Sequence, residues 1–171
     1  MEYLEAAFLL KIVRRVDHNA RRFQRDNFFK IYLTNPSLRS ALFSPAPATD
    51  DRMGNLVETA IMAQWLHRDW HTPYYARWKN GEVDMVGLGE KDQKPKWAVE
   101  VKWSNQFYHH PEKLSNLTWF CQKNNLSNAL VTTIDKSGSQ TINGVNLHFL
   151  PAAAYAYTVG KNTFDKKQEV E

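Results

Sequence analysis

Gly81-Glu82-Val83-Asp84-Met85-Val86 and, sixteen positions after Asp84, Glu100-Val101-Lys102 within Ala98-Val99-Glu100-Val101-Lys102-Trp103 decide how this chain is read. Both stretches are β-branched and apolar, as strands are. They predict three consecutive strands over Pro73–Trp78, Glu82–Leu88 and Lys96–Trp103. Asn80-Gly81 supplies a hairpin turn signal between the first two, and polar Gly89–Pro95 a longer turn before the third. Upstream, GNLVETAIMAQWLH (Gly54 to about His67) is helical and apolar almost all round, the pattern of a buried helix. Downstream, Pro111 opens a helix with Leu114, Leu117, Phe120 and Cys121 on one stripe. Strands follow at Ala129–Ile134 and Val145–Leu150, separated by a polar turn over Asp135–Asn143, with a last helix from Pro151. Strand, helix, strand implies a right-handed crossover between parallel strands, so the class is α/β.

The N-terminal side reads differently. Leu4, Ala7 and Phe8 start a helix, Phe8–Val16 can turn into a strand, and Phe28–Leu33 is a second strand. Asn35 and Pro36 have the pattern of a helix cap and first helical position, opening a short helix to Phe43. Ser44–Arg52 (SPAPATDDR) is the clearest linker. The expected organisation is a basic appendage with its linker over residues 1–51, a core over 52–160 and a charged tail over 161–171. Residues 11–30 carry seven Lys and Arg against two Asp, a block at +5 in a chain whose total is +4, so the remainder is close to neutral.

Composition excludes several classes. At 171 residues, 43% hydrophobic and 23% charged, the chain can bury a core of its own and is not a disordered segment. One cysteine, Cys121, rules out an internal disulfide and any Cys-rich zinc module. No apolar run approaches the roughly 20 residues of a spanning helix, and Glu2 and Glu5 stand where a secretory leader wants basic residues. A cytoplasmic location is expected.

Four residues stand out chemically. Glu58 is the sole charge between Gly54 and Leu66. A carboxylate in an apolar helix must be paired, protonated or cation-bound; its simplest partner is an Arg of the N-terminal segment. Strand alternation puts Glu100 and Lys102 on one face, opposite Val99, Val101 and Trp103. A hairpin of this length can bring Asp84 beside Glu100. Two neighbouring carboxylates raise each other's pKa unless a cation neutralises them. Oxygen ligands with open water positions suit Mg²⁺.

Asp84 followed at this distance by Glu100-Val101-Lys102 resembles the PD-(D/E)xK, or restriction-endonuclease-like, superfamily. Glu58 resembles the extra acidic residue of many of its members. Tyr3-Leu4-Glu5, Lys30-Ile31-Tyr32-Leu33, Gly54-Asn55-Leu56-Val57-Glu58, Tyr75-Ala76-Arg77, Gly81-Glu82-Val83-Asp84 and Glu100-Val101-Lys102 follow the order of an uncharacterised domain found C-terminal to prokaryotic P-loop ATPase modules. The resemblance covers about residues 3–134. Val83 replaces the superfamily's leading Pro, and no P-loop is present: Gly160-Lys161-Asn162 fails at its last position. The resemblance implies a restriction-endonuclease-like mixed sheet flanked by helices. It implies metal-dependent phosphodiester hydrolysis, with Asp84, Glu100 and the Val101 carbonyl holding Mg²⁺ or Mn²⁺. Glu58 would complete the shell, and Lys102 would orient water or stabilise the phosphate. It further implies that the chain corresponds to a region C-terminal to an ATPase.

DNA, an ATPase domain or subunit and a second copy of the chain are the partners expected; a membrane is not. Arg21 and Arg22 in the basic block, and Arg77 and Lys79 among the aromatics of Tyr74–Lys79, are the expected DNA contacts. The alternative is the same fold kept as a non-catalytic DNA-binding or coupling domain. His67 with His71, and His109-His110, lack further metal ligands and read as surface or loop histidines; Gln122 and Ser104 are weaker site candidates.

Overall fold

A computed structural model describes residues 2–17, 28–68 and 70–168. Elements run α1 (Glu2–Ala6), β1 (Leu10–Val16), β2 (Phe29–Leu33), α2 (Ser37–Leu42), α3 (Met53–Leu66), β3 (Pro73–Trp78), β4 (Gly81–Leu88), β5 (Pro95–Glu100) and α4 (Gln106–His109). After a 3-10 turn over Pro111–Leu114 come α5 (Ser115–Lys123), β6 (Asn128–Thr133), β7 (Gly138–Ile142), β8 (Val145–Pro151) and α6 (Ala152–Gln168). The strands form one mixed sheet in the order β2-β1-β3-β4-β5-β6-β8-β7. β5, β6 and β8 are parallel neighbours, and α5 is the crossover between β5 and β6, as expected for a strand–helix–strand run.

Helices cover both faces, which is why the central strands are nearly all apolar. On one face Leu117, Phe120 and Cys121 of α5 pack with Leu114 on Val83, Val86, Ala98, Val131 and Leu147. On the other, Ile61, Met62 and Trp65 of α3 and Tyr155 and Val159 of α6 pack on Val13, Tyr32, Tyr75, Met85 and Val99. Arg68 ties the two helices together by donating to the Val159 carbonyl and to Thr163 Oγ1, both at 2.8 Å.

Four sequence expectations are corrected. The N-terminal segment is no appendage. β1 pairs parallel with β3 through Arg15–Tyr75 and Val16–Ala76, and Val13, Val16 and Tyr32 are core residues. Within β1, Val13 joins the core under α3 and α6 while Val16 joins the core under α5, so the strand extends both faces of the sheet and the Pro-rich linker does not prevent it. Trp103 Nε1 pins that linker by donating to the Ala48 carbonyl at 3.0 Å. The stretch Asp135–Asn143, read as a turn, contains β7, an edge strand whose polar residues fit its exposure. α6 runs through residues 160 and 161, so no tail separates there. The third central strand also ends sooner than expected, at Glu100 rather than Trp103. Among the described residues no helix is long and apolar enough to cross a membrane.

Candidate active site

The C-terminal end of β5 and the middle of β4 build the site. Met85 pairs with Val99 in the antiparallel β4–β5 ladder, which leaves Asp84 and Glu100 adjacent. On its other side β4 carries a bulge. Tyr74 pairs with Val86 but Ala76 with Val83, so Asp84 and Met85 together oppose Tyr75. Such a bulge re-aims a side chain without ending the strand. Met85 enters the core beneath α3, and Asp84 turns to the end of β5, where its Oδ2 accepts the Val101 N–H at 2.9 Å.

Glu100 is only 9% exposed. Its Oε1 accepts from Lys102 Nζ at 2.7 Å, while its Oε2 is buried without a hydrogen-bond partner. Burial, reinforced by the Asp84 charge, pushes the Glu100 carboxyl up to about 7. Asp84 is also raised, chiefly by burial; Lys102 opposes that shift and Glu58 adds to it. Lys102 lies beyond the strand, yet it is firmly placed. Its backbone N–H donates to Thr132 Oγ1 at 2.7 Å, and the Thr132 hydroxyl donates to the Lys102 carbonyl at 2.9 Å. Thr132 sits on the parallel neighbour β6 and is fully buried. The ammonium lies 3.6 Å from Asp84 Oδ2. Burial works against its charge, but Glu100 and Asp84 outweigh that and hold the Lys102 pKa above its ordinary value.

A second group of charges adjoins the first through Asp84. Glu58, in the second turn of α3, accepts at Oε1 from Lys30 Nζ at 3.0 Å and from the Tyr32 hydroxyl at 2.5 Å. Lys30 also lies 2.5 Å from Glu82 Oε1 and 3.8 Å from Asp84 Oδ1. The partner expected for Glu58 from the N-terminal segment is therefore present, but it is a lysine on β2. Burial disfavours the Lys30 charge; Glu58, Glu82 and Asp84 more than restore it, and the Lys30 pKa is raised. Arg77, opposite Glu82 in the β3–β4 ladder, approaches Glu82 Oε2 at 3.6 Å.

Asp84, Glu100 and Lys102 thus converge as the spacing implied, and Glu58 joins them through the Lys30 ammonium. Among the described residues no group of three or more His, Cys, Asp or Glu side chains is placed to hold a metal ion. Arg77 and Lys79 are exposed on the β3–β4 hairpin; Arg21 and Arg22 lie outside the described residues. Lys30, Tyr32, Glu82 and Thr132 are the site residues that sequence reasoning missed. Lys30 and Tyr32 alternate along one strand, as do Glu82 and Asp84, so each pair projects to one side; that was the available signal.

The remaining candidates have structural places. The His71 ring packs 5.5 Å from Trp65 and 5.3 Å from Trp97, and burial lowers its pKa. Because α3 ends at Leu66, His67 and His71 do not share a helix face. His110 approaches Glu112 at 3.3 Å. Gln122 donates to the Asn143 carbonyl at 2.6 Å, bracing the β7–β8 turn, and Ser104 Oγ accepts the Gln106 N–H at 3.1 Å. Burial pushes the Cys121 thiol up to about 12, so it is no nucleophile.

Residues 53–155 match the family model described as a domain of unknown function, DUF4143. The chain belongs to the DUF4143 family. No curated protein and no solved structure matches it. The DUF4143 span opens at the first residue of α3 and ends at Tyr155 on α6. It therefore carries Glu58, Glu82, Asp84, Glu100, Lys102 and Thr132, while Lys30 and Tyr32 reach the site from outside it, on β2 of the same sheet.

Proposed function

We propose that the chain is a metal-dependent nuclease domain that hydrolyses phosphodiester bonds in DNA. The observation that carries this reading is the buried, unpartnered Glu100 Oε2 beside Asp84 and Lys102. An unmet buried acceptor costs about 1–3 kcal/mol, and more when charged. A divalent cation is the ligand that this acceptor and its raised pKa suit. Asp84, Glu100 and the Val101 carbonyl would hold Mg²⁺ or Mn²⁺; for Mg²⁺, one or two carboxylates with waters and substrate phosphate suffice. When bound, the ion acidifies water and neutralises phosphate charge. Glu58, with Oε1 already committed to Lys30 and Tyr32, serves the site through the charges around it.

Lys102 follows from its electrostatics. A lysine whose pKa is raised stays protonated at neutral pH, so it cannot act as the base. It donates instead, either to the attacking water or to the phosphate oxygens as charge develops on them. Thr132 fixes the backbone that aims it. Arg77 and Lys79, exposed on the adjoining hairpin, suit phosphate contact. The resemblance to domains C-terminal to P-loop ATPase modules supports an ATPase partner.

One observation favours the alternative, a non-catalytic DNA-binding or coupling domain: Lys30 and Lys102 already neutralise much of the acidic cluster. Nicking of supercoiled plasmid in Mg²⁺ or Mn²⁺ separates the two. The nuclease reading expects metal-dependent nicking by the wild type that Lys102→Ala abolishes. Equal, background-level cleavage by both proteins would sink it, and salt-sensitive DNA retention without cleavage would leave the alternative standing.

A further inference from the structure

The two oxygens of Asp84 face different cations. Oδ2 lies 3.6 Å from Lys102, the lysine that also holds Glu100, whose Oε2 is buried without a hydrogen-bond partner; Oδ1 lies 3.8 Å from Lys30. A carboxylate shared in this way is what divides a two-metal site, where the ions stand about 3.5–4 Å apart. On the Lys30 side of Asp84, carboxylate oxygens gather around an ammonium and not around a metal ion: Glu58 Oε1 and Glu82 Oε1 lie within 3.0 Å of Lys30 Nζ, and with the lysine in place they are not set to hold a metal themselves. No His or Cys is involved, so the set is all oxygen and suits a hard cation. It comes from two rigid elements, α3 and β4, and Tyr32 holds Glu58 Oε1 in place.

We propose that Lys30 is a tethered cation occupying the second ion position, so that this centre takes one divalent ion and not two. The inference rests on the metal-dependent reading above. Lys30 pairs with Val13 in the β1–β2 ladder, so its ammonium is delivered by the sheet itself. An intramolecular ligand of this kind competes at a high effective concentration. A divalent ion entering there would have to expel the ammonium from three carboxylates. Lys30 is accordingly a positioning residue: it fixes Glu58, Glu82 and the Oδ1 side of Asp84 while leaving the Glu100 side open.

The test is the stoichiometry of Mn²⁺ binding to the full chain, by calorimetry and by electron paramagnetic resonance. The wild type is expected to bind one Mn²⁺ per chain. Lys30→Ala, and Lys30→Gln as a variant that keeps the stem and a neutral donor, are expected to bind two. Spin coupling between the two ions is the signature of adjacent positions. Two ions on the wild type, or one on a folded Lys30 variant, would overturn the proposal while leaving the metal centre intact. No Mn²⁺ on the wild type would instead remove the metal-dependent reading, and this proposal with it. Should neither variant fold, Glu82→Gln decides. With Lys30 as the occupant, the single Mn²⁺ affinity of that variant stays within about threefold of wild type. A loss of tenfold or more would make Glu82 a ligand of the bound ion and refute the assignment.

Discussion

Replacing Glu100 with Gln should change how stability depends on pH, by an amount the site geometry sets. In the folded, metal-free protein the Glu100 carboxyl is pushed from its ordinary 4.5 up to about 7, first by burial and then by Asp84. The folded state therefore keeps a proton that the unfolded chain has released, across the window between those values. Stability falls as pH rises through that window and levels off above it. At 1.36 kcal/mol per unit, the fall attributable to Glu100 is about 3 kcal/mol. Glutamine has nearly the same shape and cannot ionise, so Glu100→Gln removes this fall. Lys102 keeps Asp84 as a counter-charge, at 3.6 Å. The assay is urea unfolding in EDTA at half-unit steps from pH 4.5 to 8, with the two stability curves subtracted so that the other titrating groups largely cancel. The difference should move by about 3 kcal/mol in favour of the variant. Parallel curves would mean that Glu100 ionises as freely in the fold as in the unfolded chain, and the burial argument would be refuted.

Two further predictions rest on other parts of the site. Thr132→Val keeps the shape of a buried residue but leaves the Lys102 N–H and carbonyl without their partner; it should cost about 1–3 kcal/mol in thermal or urea unfolding. The same variant should lose metal-dependent cleavage while keeping Mn²⁺ affinity, and unchanged cleavage would show that the Thr132 clamp does not aim Lys102. Charge reversal of exposed Arg77 and Lys79 together should weaken DNA retention and flatten its salt dependence by about 1–2 units of log–log slope, measured by filter binding; an unchanged slope would remove the β3–β4 hairpin from the interface.

Much of the fold was legible because the central segments carry local signals that their environment supports. β3 is rich in aromatics and β4 and β5 carry valines, and helices cover both faces, so propensity and burial agree. The misplacements have separate causes. β7 is a polar edge strand; half its residues face solvent, and the sequence offers no hydrophobic alternation to find. Ser44–Arg52 reads as a domain linker and so sets the N-terminal strands apart in the sequence. Joining β1 to β3 is a long-range pairing that local composition cannot register. Within the site, Asp84 and Glu100 were legible from spacing on a hairpin, but the bulge that turns Asp84 toward Val101 has no composition signal. In the sequence Lys30 is one charge of a basic block. Its role depends on β2 lying at the sheet's edge over α3, which only the three-dimensional pairing supplies.

The claim on which the rest depends is that the carboxylates of Asp84 and Glu100 form a divalent-metal centre. Anomalous scattering from a crystal soaked in MnCl₂ and recorded near the manganese edge tests it most directly. One peak is predicted per chain, bounded by Asp84, Glu100 Oε2 and the Val101 carbonyl, with none between Glu58 and Glu82. No peak at Asp84 and Glu100 at saturating Mn²⁺, or a peak only elsewhere on the molecule, would contradict it.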